Sequence, residues 1–212
     1  MPLHGARWHA GTHVAPPSWS VRRSASLPSS DACASPLRTL SYSRDLFELI
    51  NARGRLDEKT ARGIFRQVAA AVSFLHDNNL VHGDVKDENV LVDSDGAARL
   101  IDFGSACFAH RRRRFDMFTG TLDYAAPEVL RERDYAPAPA EAWTLGVLLF
   151  LMVVGRVPFD SCEAAGGDEL QVPSFVTLAC RRLIRGLLRK DPLLRVKAGD
   201  IQRHTWMTIR DV

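Results

Sequence analysis

The segment that most constrains this chain is His82-Gly83-Asp84-Val85-Lys86-Asp87-Glu88-Asn89, a crowd of ionisable and amide side chains set between two patterned stretches. On its N-terminal side Asp57 can cap a long helix whose apolar positions Ala61, Ile64, Phe65, Val68, Ala69, Val72 and Leu75 recur at spacings of three and four. That helix stops near Asp77-Asn78-Asn79. On its C-terminal side two short runs, Val90-Leu91-Val92 and Arg99-Leu100-Ile101, flank the turn Asp93-Ser94-Asp95-Gly96 and read as a β-hairpin, with Asp102-Phe103-Gly104 directly after it. A helical framework with one small hairpin that presents loops at its ends is the architecture this pattern predicts.

The remaining organisation agrees. Asp45 to Ile50 reads as a short helix stopped at Asn51-Ala52-Arg53-Gly54. After Asp102 an irregular segment carries the run Arg111 to Arg114, whose plain reading is a solvated loop and whose sharper one is an anion-sensing element. Helices are predicted over Pro127 to Arg131, Ala140 to Val154, Ser174 to Arg189 and Ala198 to Met207. Residues 1–40 differ: they are rich in Pro, Ser, Arg and Ala, hold no acidic residue before Asp31 and show no period. They are expected to be disordered or an extension outside the fold, with an organellar transit peptide as the lesser reading. The folded domain is expected over 41–212.

Composition narrows the class. At 46% hydrophobic and 25% charged, the 212 residues suit one soluble globular domain. A net charge of +3 offers no whole-chain support for binding nucleic acid. Cys33, Cys107, Cys162 and Cys180 form no CxxC pair and follow no secretory signal, so reduced thiols in the cytoplasm, or the nucleus, are expected. The longest apolar run, Leu145 to Val154, falls short of the ~18 residues that would span a bilayer, which predicts a buried core helix and no membrane association.

Taken singly, an Asp or Asn in a loop is usually a turn former or a cap. Taken in order, the segments DLFELI, RLDE, IFRQVAAAVSFLH, VHGDVKDENVLV, LIDFGSA, GTLDYAAPEVL and EAWTLGVLLF resemble the C-terminal lobe of eukaryotic serine/threonine protein kinases. Within that family the likeness is greatest to the PAS-domain kinases and looser to the Pim kinases, and it runs from about Asp45 to Met207. The resemblance implies a mainly α fold, a kinase-like C-terminal lobe with a small β-hairpin and no complete N-terminal β-lobe. It implies ATP and Mg2+ as cofactors and protein serines or threonines as acceptors.

The roles it implies follow residue by residue. Asp84 matches the catalytic aspartate that receives the hydroxyl proton, and Lys86 the lysine that neutralises charge on the transferred phosphoryl group, with Thr121 as that lysine's partner. Asn89 and Asp102 match the magnesium ligands and thus the nucleotide-phosphate site. Glu88 resembles a position that receives an arginine of basophilic substrates. Ala126-Pro127-Glu128 matches the close of the activation segment, Arg195 the buried partner of that glutamate, and Trp143 and Gly146 the central hydrophobic helix.

The departures are informative. Gly83 replaces the usual arginine that receives an activation-segment phosphate, so phosphorylation-driven ordering of the usual kind is not expected. Glu141 stands where most kinases carry an aspartate supporting the catalytic loop, and the PAS-domain kinases resemble this chain in carrying Glu. Residues 1–40 contain no Lys, no GxGxxG segment and no recognisable hairpin, so the nucleotide-gripping half has no counterpart in them. The expectation is a truncated kinase domain, inactive as an isolated chain, whose exposed apolar upper face invites a covering partner. The alternative expectation is a non-catalytic lobe that binds substrates or regulates a full kinase.

Overall fold

The computed structural model describes residues 44–109, 115, 118, 120–131 and 134–209, so the readings made for residues 1–40 and for Arg111 to Arg114 lie outside the described residues. The chain enters through β1 (Arg44–Asp45) and α1 (Leu46–Arg53), and Asp45 is the hinge between them. Its backbone pairs with Leu91, and its carboxylate accepts the Glu48 N–H at 2.7 Å as the helix N-cap. The long helix is α2 (Glu58–Asp77), capped by Asp57, which accepts the Thr60 N–H at 2.9 Å and the Thr60 hydroxyl at 2.7 Å. All seven apolar positions read from its periodicity are buried.

After α2 come β2 (Leu80–Val81), the polar loop with a 3-10 turn over Asp87–Asn89, β3 (Val90–Val92), β4 (Ala98–Leu100) and β5 (Cys107–Phe108). The hairpin exists with one shift: its second strand is Ala98–Leu100, not Arg99 to Ile101. Asp93 causes it, because its Oδ1 accepts the N–H groups of Asp95 at 3.0 Å and Ala97 at 2.8 Å and closes the turn up to Ala97. The expectation of a single hairpin is also corrected. β1 adds an edge to give the antiparallel order β1-β3-β4, and β2 pairs with β5 in a second sheet. Two-residue strands carry no period from which they could be read.

The helical remainder comprises α3 (Pro127–Arg131), α4 (Pro137–Val154), α5 (Cys162–Gly167), α6 (Leu178–Leu187), α7 (Ala198–Ile201) and α8 (Thr205–Thr208). α4 starts ahead of the predicted Ala140 because Pro137 takes the first helical position, where its missing N–H has no partner to lose. α6 starts later than Ser174 because Thr177 caps it, accepting the Cys180 N–H at 3.3 Å. The single helix expected over Ala198 to Met207 is two, since His204 leaves helical geometry and caps α8 through Nδ1 at 3.2 Å from the Trp206 N–H. α5 was not predicted.

α4 is the centre of the core. Trp143, Leu145, Val147, Leu148, Leu149, Phe150 and Met152 are all buried along it. By length and composition α4 could cross a membrane, but 78% of it is buried against the rest of the protein, as a core helix requires. Gly146 lets α6 approach closely: a Cβ there would lie 2.8 Å from Leu187 Cβ. Burial raises the pKa of the Cys180 thiol in this core, leaving it a small neutral hydrophobe.

Candidate active site

The polar loop is fastened from three sides. His82 is fully buried; its Nε2 lies 2.9 Å from the Ile101 carbonyl and its ring meets Phe103 edge-on at 4.8 Å. Gly83 sits at φ +84°, and a Cβ there would come within 2.5 Å of the Ser105 carbonyl oxygen, so both the backbone angle and the close approach require glycine. Its N–H donates to Glu141 Oε1 at 2.7 Å, while Glu141 Oε2 lies 2.8 Å from His76 Nε2. One buried carboxylate of α4 thus joins the end of α2 to the loop. His76 was missed in the sequence; the signal was Glu141 itself, a charge in an apolar helix that burial forces to find partners.

Asp84 stands at the centre of the next layer. Its Oδ1 accepts the Thr121 N–H at 3.1 Å and the Thr121 hydroxyl at 3.0 Å, and its Oδ2 accepts from Asn89 Nδ2 at 3.1 Å. Lys86 Nζ donates to Thr121 Oγ1 at 3.1 Å and lies 3.5 Å from Asp84 Oδ2 and 2.8 Å from Glu88 Oε2. The hydrogen bond it donates to Glu88, with the Asp84 charge behind it, raises the Lys86 pKa against a smaller opposing effect of burial, so the ammonium stays charged at neutral pH. Asp84, Lys86, Glu88, Asn89 and Thr121 therefore form one connected polar network.

Asn89 directs its amide nitrogen to Asp84 twice, at Oδ2 and at the Asp84 carbonyl (2.8 Å), which leaves Oδ1 as the atom it can offer a cation. Asp102 is placed beside this network through the backbone, because the Ile101 N–H donates to the Asn89 carbonyl at 2.9 Å. Asp102 adopts left-handed φ 60°, and its Oδ1 accepts the Gly104 N–H at 3.1 Å. Its side chain is exposed and outside the Asp84 hydrogen-bond network. Two hard oxygen donors on neighbouring loops suit a magnesium ion that keeps water and phosphate in its other positions.

Two buried pairs hold the segment that delivers Thr121. Arg195 grips Glu128 through both nitrogens, at 2.6 and 2.9 Å, and also donates to the Pro139 carbonyl. Tyr124 donates its hydroxyl to Asp87 at 2.8 Å. Burial raises the Asp87 pKa and the Tyr124 pKa alike, which keeps the phenol neutral and a donor. The Asp87–Tyr124 pair was not foreseen, because 37 residues separate the partners and neither belongs to a periodic pattern.

The sequence matches the Protein kinase domain family over residues 38–207. The chain belongs to the protein kinase family. Relatives among kinases include the serine/threonine-protein kinase PSK1 of Saccharomyces cerevisiae, 40% identical over 78% of the chain and 12% of the relative. The PAS domain-containing serine/threonine-protein kinase of Mus musculus is 38% identical over 77% of the chain and 12% of the relative. Protein kinase kin1 of Schizosaccharomyces pombe is 34% identical over 76% of the chain and 19% of the relative. The likeness to PAS-domain kinases read from the motifs is thus shared with named relatives, and the chain spans only 12–35% of the length of the kinases it matches.

Proposed function

We propose that this chain supplies the catalytic face of a serine/threonine protein kinase, which moves the γ-phosphoryl group of ATP onto a protein hydroxyl. The observation that carries this reading is the Asp84–Thr121–Lys86–Asn89 network, in which a carboxylate and an ammonium are held at fixed positions by one threonine. In this reading Asp84 orients the acceptor hydroxyl and takes its proton as the new oxygen–phosphorus bond forms, while the bond from the γ-phosphorus to the bridging oxygen breaks and ADP leaves. Lys86, kept charged by Glu88 and Asp84, neutralises charge on the transferred group. Asn89 Oδ1 and Asp102 would hold magnesium, which when bound offsets the charge of the phosphates. Glu88, half-exposed beside Lys86, is available to an arginine of a basophilic substrate.

The 212 residues by themselves are proposed to turn over negligibly, because no glycine-rich loop or paired lysine is found in residues 1–40 and each missing charge contact costs ~10²–10³ in rate. A second reading, a lobe that serves as a binding or regulatory module, draws support from Phe103, Phe108 and Leu122, large apolar side chains at least half exposed beside the site.

Radiolabel transfer from ATP to an arginine-containing serine peptide separates these readings. The chain alone should match its Asp84→Asn variant at background. Preceded by the glycine-rich lobe of a PAS-domain kinase, it should transfer phosphate and lose ~10²–10⁴ of that rate on Asp84→Asn. Transfer by the joined protein that is indifferent to Asp84→Asn would overturn the catalytic assignment.

A further inference from the structure

A cavity of about 370 Å³ opens beside the loop, on a wall that Asp84, Lys86, Asn89 and Thr121 do not line. Most of its surface is apolar, contributed by Val81, Ala106, Phe115, Phe118, Tyr135 and Ala140. Phe115 and Tyr135 close one side, their backbones bridged in both directions at 3.0 Å and their rings 5.9 Å apart. Bare backbone at Gly83 also lines it, where Ser105 already lies so tightly that a Cβ has no room. The volume is that of small-molecule sites, which combine apolar walls with a few placed polar groups.

The placed group here is Glu141, the only formally charged residue among the described residues lining the cavity. It is 5% exposed, and the partners the structure gives its carboxylate are the Gly83 N–H and His76 Nε2, one on each oxygen. Each carboxylate oxygen can accept a second hydrogen bond. No Lys or Arg pairs with it among the described residues. A buried carboxylate with spare acceptor capacity on a residue that lines an apolar slot selects for a cation, and a planar fork of N–H donors fits a carboxylate edge best.

We propose that this cavity is a binding site for a flat cationic group, an amidinium or guanidinium on a small apolar body, with the cation on Glu141 and the body packed among Phe115, Tyr135 and Ala140. The cavity shares Glu141 and Gly83 with the fastening of the loop, so the test reads binding rather than activity.

The probe is benzamidinium, with benzyl alcohol as a body of similar size without the charge. Cys107 lines the cavity and serves as reporter, through its rate of alkylation by iodoacetamide mapped by peptide mass spectrometry on the full chain. Benzamidinium should slow alkylation at Cys107 in a saturable way, and Glu141→Gln, which keeps an acceptor for Gly83, should weaken that protection about 10-fold or more. Protection by benzyl alcohol should survive Glu141→Gln, which also reports that the variant is folded. Ala140→Leu should remove protection by both probes by filling the slot.

A blocked arginine, N-acetylarginine methylamide, identifies the source of the cation. Protection by it at lower concentration than benzamidinium assigns the site to an arginine side chain of a polypeptide, and the reverse order to a free small cation. The proposal fails if benzamidinium does not protect Cys107. It also fails if Ala140→Leu leaves protection intact, or if folded Glu141→Gln protein binds benzamidinium within twofold of the parent.

Discussion

Arg195 has almost no route to water: its side chain is 1% exposed, and it is held by both oxygens of Glu128 and by the carbonyls of Pro139 and Arg189. Such a pair adds little net stability against an apolar substitute, yet half of it is far worse than none. Arg195→Met should therefore lower unfolding free energy by about 3–5 kcal/mol in urea, by stranding the Glu128 carboxylate. Asp57 makes a different claim, on pH. Its hydrogen bonds from Thr60, backbone first, lower its pKa, so its contribution is present above the unfolded value near ~3.9 and is lost as pH falls through the folded one. Asp57→Ala should cost about 1 kcal/mol at pH 7 in chemical denaturation, and the difference from the parent should narrow as pH falls through the lowered folded pKa.

At the scale of elements, the contact between α4 and α6 is the most exacting, because Gly146 faces Leu187 and Leu188 with no gap. Gly146→Val should cost about 1–3 kcal/mol by forcing those helices apart, read as a lower urea midpoint at unchanged slope. The same contrast between long and short range governs what was legible in the sequence. α1, α2 and α4 could be read because caps at Asp45 and Asp57 and runs of apolar residues are local signals. The polar network could be anticipated because the motifs set Asp84, Lys86 and Asn89 within six positions of one another. β1, β2 and β5 could not be read, since each exists only through a partner strand remote in sequence. Glu141, a charge in an apolar helix, announces that it needs a partner, but the bridge to His76 spans 65 residues and no local pattern names that partner.

Over the whole molecule, a core built around Trp143 carries on its surface several large apolar side chains, among them Phe74, Phe103, Phe108 and Leu193, each more than half exposed. The isolated chain should therefore raise the fluorescence of an apolar dye well above that of an ordinary monomeric domain, and a dye-silent monomer would show these side chains to be covered. The entry to the fold also bears on the site. Asp45 is at once a rung of the outer strand, opposite Leu91, and the cap of α1. The strand it pairs with, β3, is the one that leaves Asn89, while the next residue, Leu46, is already in the core. The point where the described chain enters the fold is thus one strand away from the loop that carries Asp84 and Asn89.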